Sequence, residues 1–205
     1  YQTIEKMDFE EGEGTETRYR ILPDYKKMFL EKISLDKPMK VVLDCGNAAG
    51  AINGPELFKA LDLELKELFC ETDGTFPNHH PDPTVEENLQ DLIREMKTGQ
   101  YDVGLAFDGD ADRVGVVDET GAILWADQLM AIFLPEVIQD GDDVLFDVKC
   151  SQALEDMILR YGGNPVMWKT GHSLIKQRMG ELNCKLGGEM SGHIFIADDY
   201  NGYDD

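Results

Sequence analysis

Residues 102–118 read D-V-G-L-A-F-D-G-D-A-D-R-V-G-V-V-D: an apolar run, three aspartates at alternate positions, an arginine, and a second apolar run. Both runs, 102–107 and 114–118, have the length and valine content of strands, so 108–113 is the loop between them. Upstream, M-K-V-V-L-D (39–44) is another short apolar strand, ending in the loop C-G-N-A-A-G. A helix over 55–61 and the strand E-L-K-E-L-F (64–69) follow. An earlier helix begins at Arg20, with Pro23 tolerated in its first turn and Tyr25, Met28, Phe29 and Ile33 at helical spacing. T-V-E-E from Thr84 reads as a capping box with Glu87, opening a helix whose apolar stripe is Leu89, Leu92, Ile93 and Met96. Downstream, D-E-T-G turns 114–118 back on A-I-L-W (122–125) as a hairpin.

The pattern then restarts. Asp127 is placed to cap a helix through Ile138, and D-V-L-F-D-V (143–148) is a strand ending at Lys149. Ser151 caps a helix that Gly162 and Gly163 stop. N-P-V-M-W (164–168), a helix over 174–182 and the strand H-I-F-I-A (193–197) complete the series. Strands alternating with helices predict the α/β class, here two consecutive α/β units with mixed, largely parallel sheets. The expected divisions are 1–19 as an acidic, aperiodic linker or tail of a missing first domain, 20–126 as one α/β domain, and 127–205 as another. The second domain reads as truncated, since N-G-Y-D-D stands where a further helix could begin. Ligands of such sheets sit at the carboxyl ends of strands. Loops 45–50, 108–113, 149–151, 169–173 and 187–192 all begin where a predicted strand ends.

The chain has 205 residues and a formal net charge of −22, which argues against nucleic acid and anionic membrane as partners, because both require basic surface. Its longest apolar runs, such as 129–134, are far too short to cross a bilayer, and no basic stretch followed by an apolar one opens the chain. The four cysteines, Cys45, Cys70, Cys150 and Cys184, form no C-x-x-C pair. They read as reduced thiols of a cytoplasmic protein, neither a disulfide frame nor a zinc site.

Asp108, Asp110 and Asp112 would repel one another unless something offsets their charge. Alternation in an extended loop can turn all three carboxylates to one side, where oxygen ligands suit a hard divalent cation such as magnesium. A solvated acidic turn is the other reading. An EF-hand fails, because its sixth loop position is Arg113 where glycine is required, and strands flank the loop where helices should. A haloacid-dehalogenase-like nucleophile, D-x-D-x-T after a strand, fails for want of the threonine. Arg113 is close enough to neutralise residual charge or hold a phosphate bidentately. G-G-E-M-S-G-H (187–193) combines Glu189, Ser191 and His193 in a glycine-rich loop suited to gripping sugar hydroxyls. Lys149 and His172 each follow a strand, although a lone lysine or histidine there is commonly structural. His79 and His80, between prolines in F-P-N-H-H-P-D-P (76–83), cannot easily converge on one ion and read as part of a rigid turn.

Taken in order, V-V-L-D-C-G-N-A-A-G, F-P-N-H-H-P-D-P, D-G-D-A-D-R, D-V-K-C-S, K-T-G-H-S and G-E-M-S-G-H make the chain resemble the α-D-phosphohexomutases, nearest the bacterial phosphomannomutase/phosphoglucomutase branch. The resemblance runs from about Arg20 to the last residue and implies the second and most of the third of that family's four domains. It implies an intramolecular phosphotransferase interconverting hexose 1-phosphate and hexose 6-phosphate through an enzyme phosphoserine and a bisphosphate intermediate. By the same motifs, Asp108, Asp110 and Asp112 bind Mg2+ in a metal-binding domain, and Glu189, Ser191 and His193 bind substrate in a sugar-binding domain. Arg113, Lys149 and His172 take the catalytic roles, one of the latter two serving in acid–base chemistry. Met190 favours the glucose and mannose enzymes over phosphoglucosamine mutase, whose members tend to carry glutamine there. The partners implied are the phosphorylated hexose, its bisphosphate and the missing domains. No T-A-S-H-N-P-like loop occurs; the serines are Ser34, Ser151, Ser173 and Ser191. The chain alone is therefore expected to be inactive and to bind magnesium weakly. A non-catalytic metal- or sugar-phosphate-binding module, a phosphoglucosamine mutase, and a metal-dependent phosphatase are the alternatives.

Overall fold

A computed structural model describes residues 2–7, 9 and 12–197; the N-G-Y-D-D segment lies outside them. A short helix α1 (Gln2–Lys6), within the stretch expected to be aperiodic, precedes α2 (Leu22–Lys32). The first sheet is built from β1 (Lys40–Asp44), β2 (Glu64–Leu68), β3 (Val103–Phe107), β4 (Val114–Asp118) and β5 (Ile123–Leu124). Helices α3 (Gly54–Ala60) and α4 (Gln90–Met96) connect its parallel strands. The second sheet comprises β6 (Asp143–Asp147), β7 (Asn164–Trp168), β8 (Leu186–Gly188) and β9 (Ile194–Ile196), with α5 (Ala126–Val137), α6 (Gln152–Arg160) and α7 (His172–Leu182) around it.

The two sheets repeat one plan. Their strand orders are β2-β1-β3-β4-β5 and β7-β6-β8-β9. In each, the first three strands are parallel, and the next returns antiparallel from a hairpin: β3 to β4 in the first, β8 to β9 in the second. The central strands β1 and β6 are buried over their last four residues, which explains their unbroken apolar runs. Leu89, Leu92, Ile93 and Met96 pack with Val42, Ala106 and Val117 on one face of the first sheet. Ile175 and Met179 of α7 cover Leu145 and Phe195 on one face of the second. Between the sheets, Val116 of β4 shares a core with Leu129, Met130 and Leu134 of α5, Phe146 of β6 and Ile158 of α6, so α5 joins the two units.

Three local readings need correction. Thr84 caps no helix: its hydroxyl and N–H both donate to the Asp82 carboxylate, at 2.7 and 3.0 Å, and a short 3-10 turn over Glu86–Leu89 intervenes before α4. Asp127 lies inside α5 and is buried, accepting the Ser151 N–H at 3.0 Å, while the Gln128 side chain accepts the Trp125 N–H at the helix start. Gly187 and Gly188, read as loop, belong to β8. No helix among the described residues is long and apolar enough to cross a membrane.

Candidate functional site

Both hairpin tips project from carboxyl ends of strands. In the first, between β3 and β4, Asp108 is 1% exposed and organises the turn. One carboxylate oxygen accepts the N–H groups of Asp112 and Arg113, both at 3.1 Å, and the other accepts Arg113 Nε at 2.6 Å. Ala111 adopts φ +65°, a left-handed conformation, and its N–H bonds back to the Asp108 carbonyl at 3.3 Å. This curl draws the three carboxylates together: each offers an oxygen within 4.8 Å of the others. At that separation each pair of charges repels by at least about 3 kcal/mol for an effective dielectric constant of about 20. Arg113 alone leaves the cluster anionic.

The donor set fits a hard cation. All three donors are carboxylates, and of roughly four lone-pair directions on Asp108 three are taken by protein N–H groups, leaving one for an ion. Arg113 is partly buried, which disfavours its charge, but the Asp108 carboxylate beside it, with Asp82 and Asp112 at 3.9 Å, more than offsets this and raises its pKa.

The second hairpin tip, between β8 and β9, carries Glu189, Ser191 and His193. Glu189 is 2% exposed; its carboxylate accepts the Gly171 N–H, and its own N–H donates to the His193 carbonyl at 2.9 Å. Ser191 Oγ is buried without a hydrogen-bond partner among the described residues. Gly188 stands at the base of this tip, where a Cβ would meet Met130 Sδ at 2.7 Å and the His193 carbonyl oxygen at 2.9 Å. Gly188→Ala is expected to destabilise the fold by about 2 kcal/mol in urea unfolding, because the backbone contact cannot yield by rotamer change.

The two tips touch. Val114 N–H donates to the Gly192 carbonyl at 3.4 Å, and His193 Nδ1 lies 3.7 Å from Asp112. His172, the exposed first residue of α7, stacks on His193 with ring centroids 5.6 Å apart. Arg113, Asp112, His193 and His172 thus form a chain of contacts from the acidic loop to the start of α7. Lys149 is exposed just past β6 and makes no ion pair among the described residues. It shares the carboxyl edge but not these contacts.

Two carboxylates that sequence reasoning passed over support this edge from the last positions of the central strands. Asp147, 1% exposed, accepts from the Met190 N–H at 3.2 Å, Thr170 Oγ1 at 3.1 Å and Cys150 Sγ at 3.3 Å, and so ties together three of the loops. Asp44, fully buried, accepts the Gly46 N–H at 2.8 Å and pairs with His79 Nε2 at 3.0 Å. The signal available for both was an aspartate closing an apolar strand, a place where an unpartnered charge would be costly.

Residues 23–121 match the family description "Phosphoglucomutase/phosphomannomutase, alpha/beta/alpha domain II", and residues 125–205 match domain III of the same family. The chain is 50% identical over its whole length to the phosphomannomutase/phosphoglucomutase of Pseudomonas aeruginosa, of which it spans 44%. It is 44% identical over 98% of its length to the phosphoglucomutase of Neisseria meningitidis, of which it spans 45%. A crystal structure of a phosphoglucomutase/phosphomannomutase family protein from Burkholderia thailandensis superposes with a TM-score of 0.94 at 44% identity, over the whole chain and 45% of that protein. The chain thus spans less than half the length of these relatives. With two consecutive α/β/α units that match domains II and III in order, it belongs to the phosphoglucomutase/phosphomannomutase family.

Proposed function

We propose that these residues form the metal-binding and sugar-binding parts of a cytoplasmic phosphohexomutase that interconverts the 1- and 6-phosphates of mannose and/or glucose. The observation that carries this reading is the contact between hairpin tips: three converging carboxylates and an arginine lie one backbone hydrogen bond from a loop holding a buried acid and an unpartnered hydroxyl. Asp108, Asp110 and Asp112 would hold Mg2+, which when bound supplies positive charge to the transferring phosphoryl oxygens. Arg113, oriented through Nε by Asp108, keeps its terminal nitrogens for the same phosphate. Glu189 and Ser191 hydrogen-bond sugar hydroxyls, with His193 behind them. His172 and Lys149, both exposed at the carboxyl edge, are the candidates for moving the proton of the reacting hydroxyl.

Phosphate in this reaction passes from a phosphoserine outside these 205 residues to the sugar, giving a hexose bisphosphate, and the other phosphate returns to the serine. Met190 in the sugar loop supports glucose and mannose over glucosamine. The test is turnover of glucose 1-phosphate and mannose 1-phosphate by the full-length protein with a bisphosphate activator. Loss of turnover with chelator and recovery with magnesium are expected; preferential turnover of glucosamine 1-phosphate would overturn the substrate assignment. The 205-residue chain assayed alone is expected to show none, and magnesium calorimetry on it to give affinity weaker than micromolar.

Ser191→Ala in the full-length protein is expected to raise KM about fivefold with little change in kcat. A neutral hydrogen bond made equally in ground and transition states contributes on the order of 1 kcal/mol to binding and nothing to the chemical step.

A further inference from the structure

Cys45 and Cys70, 25 residues apart in sequence, lie just past the carboxyl ends of neighbouring parallel strands β1 and β2, with their Sγ atoms 3.3 Å apart. The loops bearing them are already joined: the Cys45 N–H donates to the Leu68 carbonyl at 3.1 Å and the Asn47 N–H to the Phe69 carbonyl at 2.8 Å. Cys45 is buried, whereas Cys70 is half-buried and lines an open cleft of about 350 Å³ with Glu67, Glu71 and Asn78. Neither thiol has a part in the phosphoryl chemistry proposed above, and the pair stands independently of it.

We infer that Cys45 and Cys70 constitute a reversible dithiol–disulfide modification site, with Cys70 the thiol that meets hydrogen peroxide and Cys45 the one that resolves it. In the first step the Cys70 sulfur attacks one peroxide oxygen. The O–O bond breaks, an S–O bond forms, and one water leaves with the thiol proton. In the second step the Cys45 sulfur attacks the Cys70 sulfenic acid, an S–S bond forms, the S–O bond breaks, and a second water leaves with the Cys45 proton. The two sulfurs together lose two electrons, and the peroxide takes up both. Closure brings the sulfurs from 3.3 Å to about 2.05 Å, a movement within reach of side-chain rotation where the backbones are already paired.

The division of roles follows from position. Only Cys70 opens on a cleft, so the oxidant reaches it first. Cys45 is wholly buried and meets the Cys70 sulfur from behind, so it is placed to resolve and not to meet the oxidant. The oxidant class follows from charge. Glu67 and Glu71 flank the cleft of a strongly acidic chain, so an anionic disulfide such as oxidised glutathione is repelled, whereas peroxide is small and neutral. Cys150 and Cys184 lack a neighbouring thiol among the described residues, and burial pushes the Cys184 thiol up to about 12.

The experiment treats the folded 205-residue chain with hydrogen peroxide, alkylates remaining thiols, and maps the peptides by mass spectrometry. A Cys45–Cys70 cross-linked peptide is expected as the main oxidised product, with Cys150 and Cys184 alkylated and the cross-link reversed by dithiothreitol. Cys45→Ser is expected to leave Cys70 as a sulfenic acid that dimedone traps. Cys70→Ser is expected to slow loss of the Cys45 thiol by about tenfold or more. Overoxidation of Cys70 without a cross-link, or cross-links to Cys150 or Cys184 in equal yield, would overturn the assignment. Faster cross-linking by oxidised glutathione than by peroxide would overturn the choice of oxidant. Should either serine variant fail to fold, the wild-type peptide map still decides between these outcomes.

Discussion

Asp110→Asn in the full-length protein is expected to lower kcat by at least about a hundredfold while leaving the unfolding midpoint unchanged. Of the three clustered aspartates, Asp110 alone is exposed, and no hydrogen bond to the loop engages its carboxylate. Asp108, by contrast, binds two backbone N–H groups and Arg113, so its replacement would confound folding with chemistry. Asparagine keeps the shape and one oxygen of Asp110 but removes the negative charge that makes it a ligand for a hard cation. A raised magnesium requirement should accompany the loss in kcat, and excess magnesium should recover part of it. Near-normal turnover at saturating magnesium would mean that the acidic loop is a solvated turn and that the cation, if used, is held elsewhere.

The largest effect on stability is expected from His79→Leu, at about 3 kcal/mol near pH 6, because it strands a buried carboxylate. His79 Nδ1 lies 3.0 Å from the His80 carbonyl and Nε2 lies 3.0 Å from Asp44, so both ring nitrogens face acceptors, an arrangement that favours the protonated ring. The Asp44 hydrogen bond raises the pKa of the ring above its ordinary value, against the opposing effect of burial. A raised folded-state pKa means that folding takes up a proton. The pair's contribution is therefore full below about pH 6.5, where the unfolded histidine is also charged, and is lost as pH rises through the raised folded value. Urea unfolding of the wild-type chain should show stability falling across that range, and the variant should lack this dependence. A variant penalty below about 1 kcal/mol would show the pair to be screened by solvent.

Much of the fold was legible because its strands are locally unmistakable. The runs 39–44, 102–107, 114–118 and 143–148 are apolar, short and bounded by turn residues, and each became a strand within a residue of its predicted limits. Strand β8 escaped notice for a physical reason: two of its three residues are glycines, which carry no strand preference. It is a strand because β6 and β9 pair with it and because Met179 and Met130 press on the space that side chains would need. Thr84 was misread because its hydroxyl had a nearer partner in Asp82 than any helix N–H, a competition that spacing alone does not reveal. The two histidines read as part of a rigid turn, and the ion pair of His79 with a strand-end aspartate 35 residues away could not be read from that turn.

The acidic loop divides along the same line. Three aspartates at alternate positions after a strand, and a glycine-rich loop with an acid and a hydroxyl, were visible as ingredients, because residue type and strand-end position are local properties. Their meeting was not visible. Asp108 had to be buried to spend its lone pairs on Arg113 and the turn, Ala111 had to take a left-handed conformation, and α5 had to join two separately patterned sheets so that Val114 could donate to Gly192. The same holds for Cys45 and Cys70, which the spacing of cysteines kept apart and the parallel pairing of β1 with β2 set side by side. Periodicity records which face a side chain turns; it holds no record of which distant residue waits on the other side, and that depends on how the packed sheets close on each other.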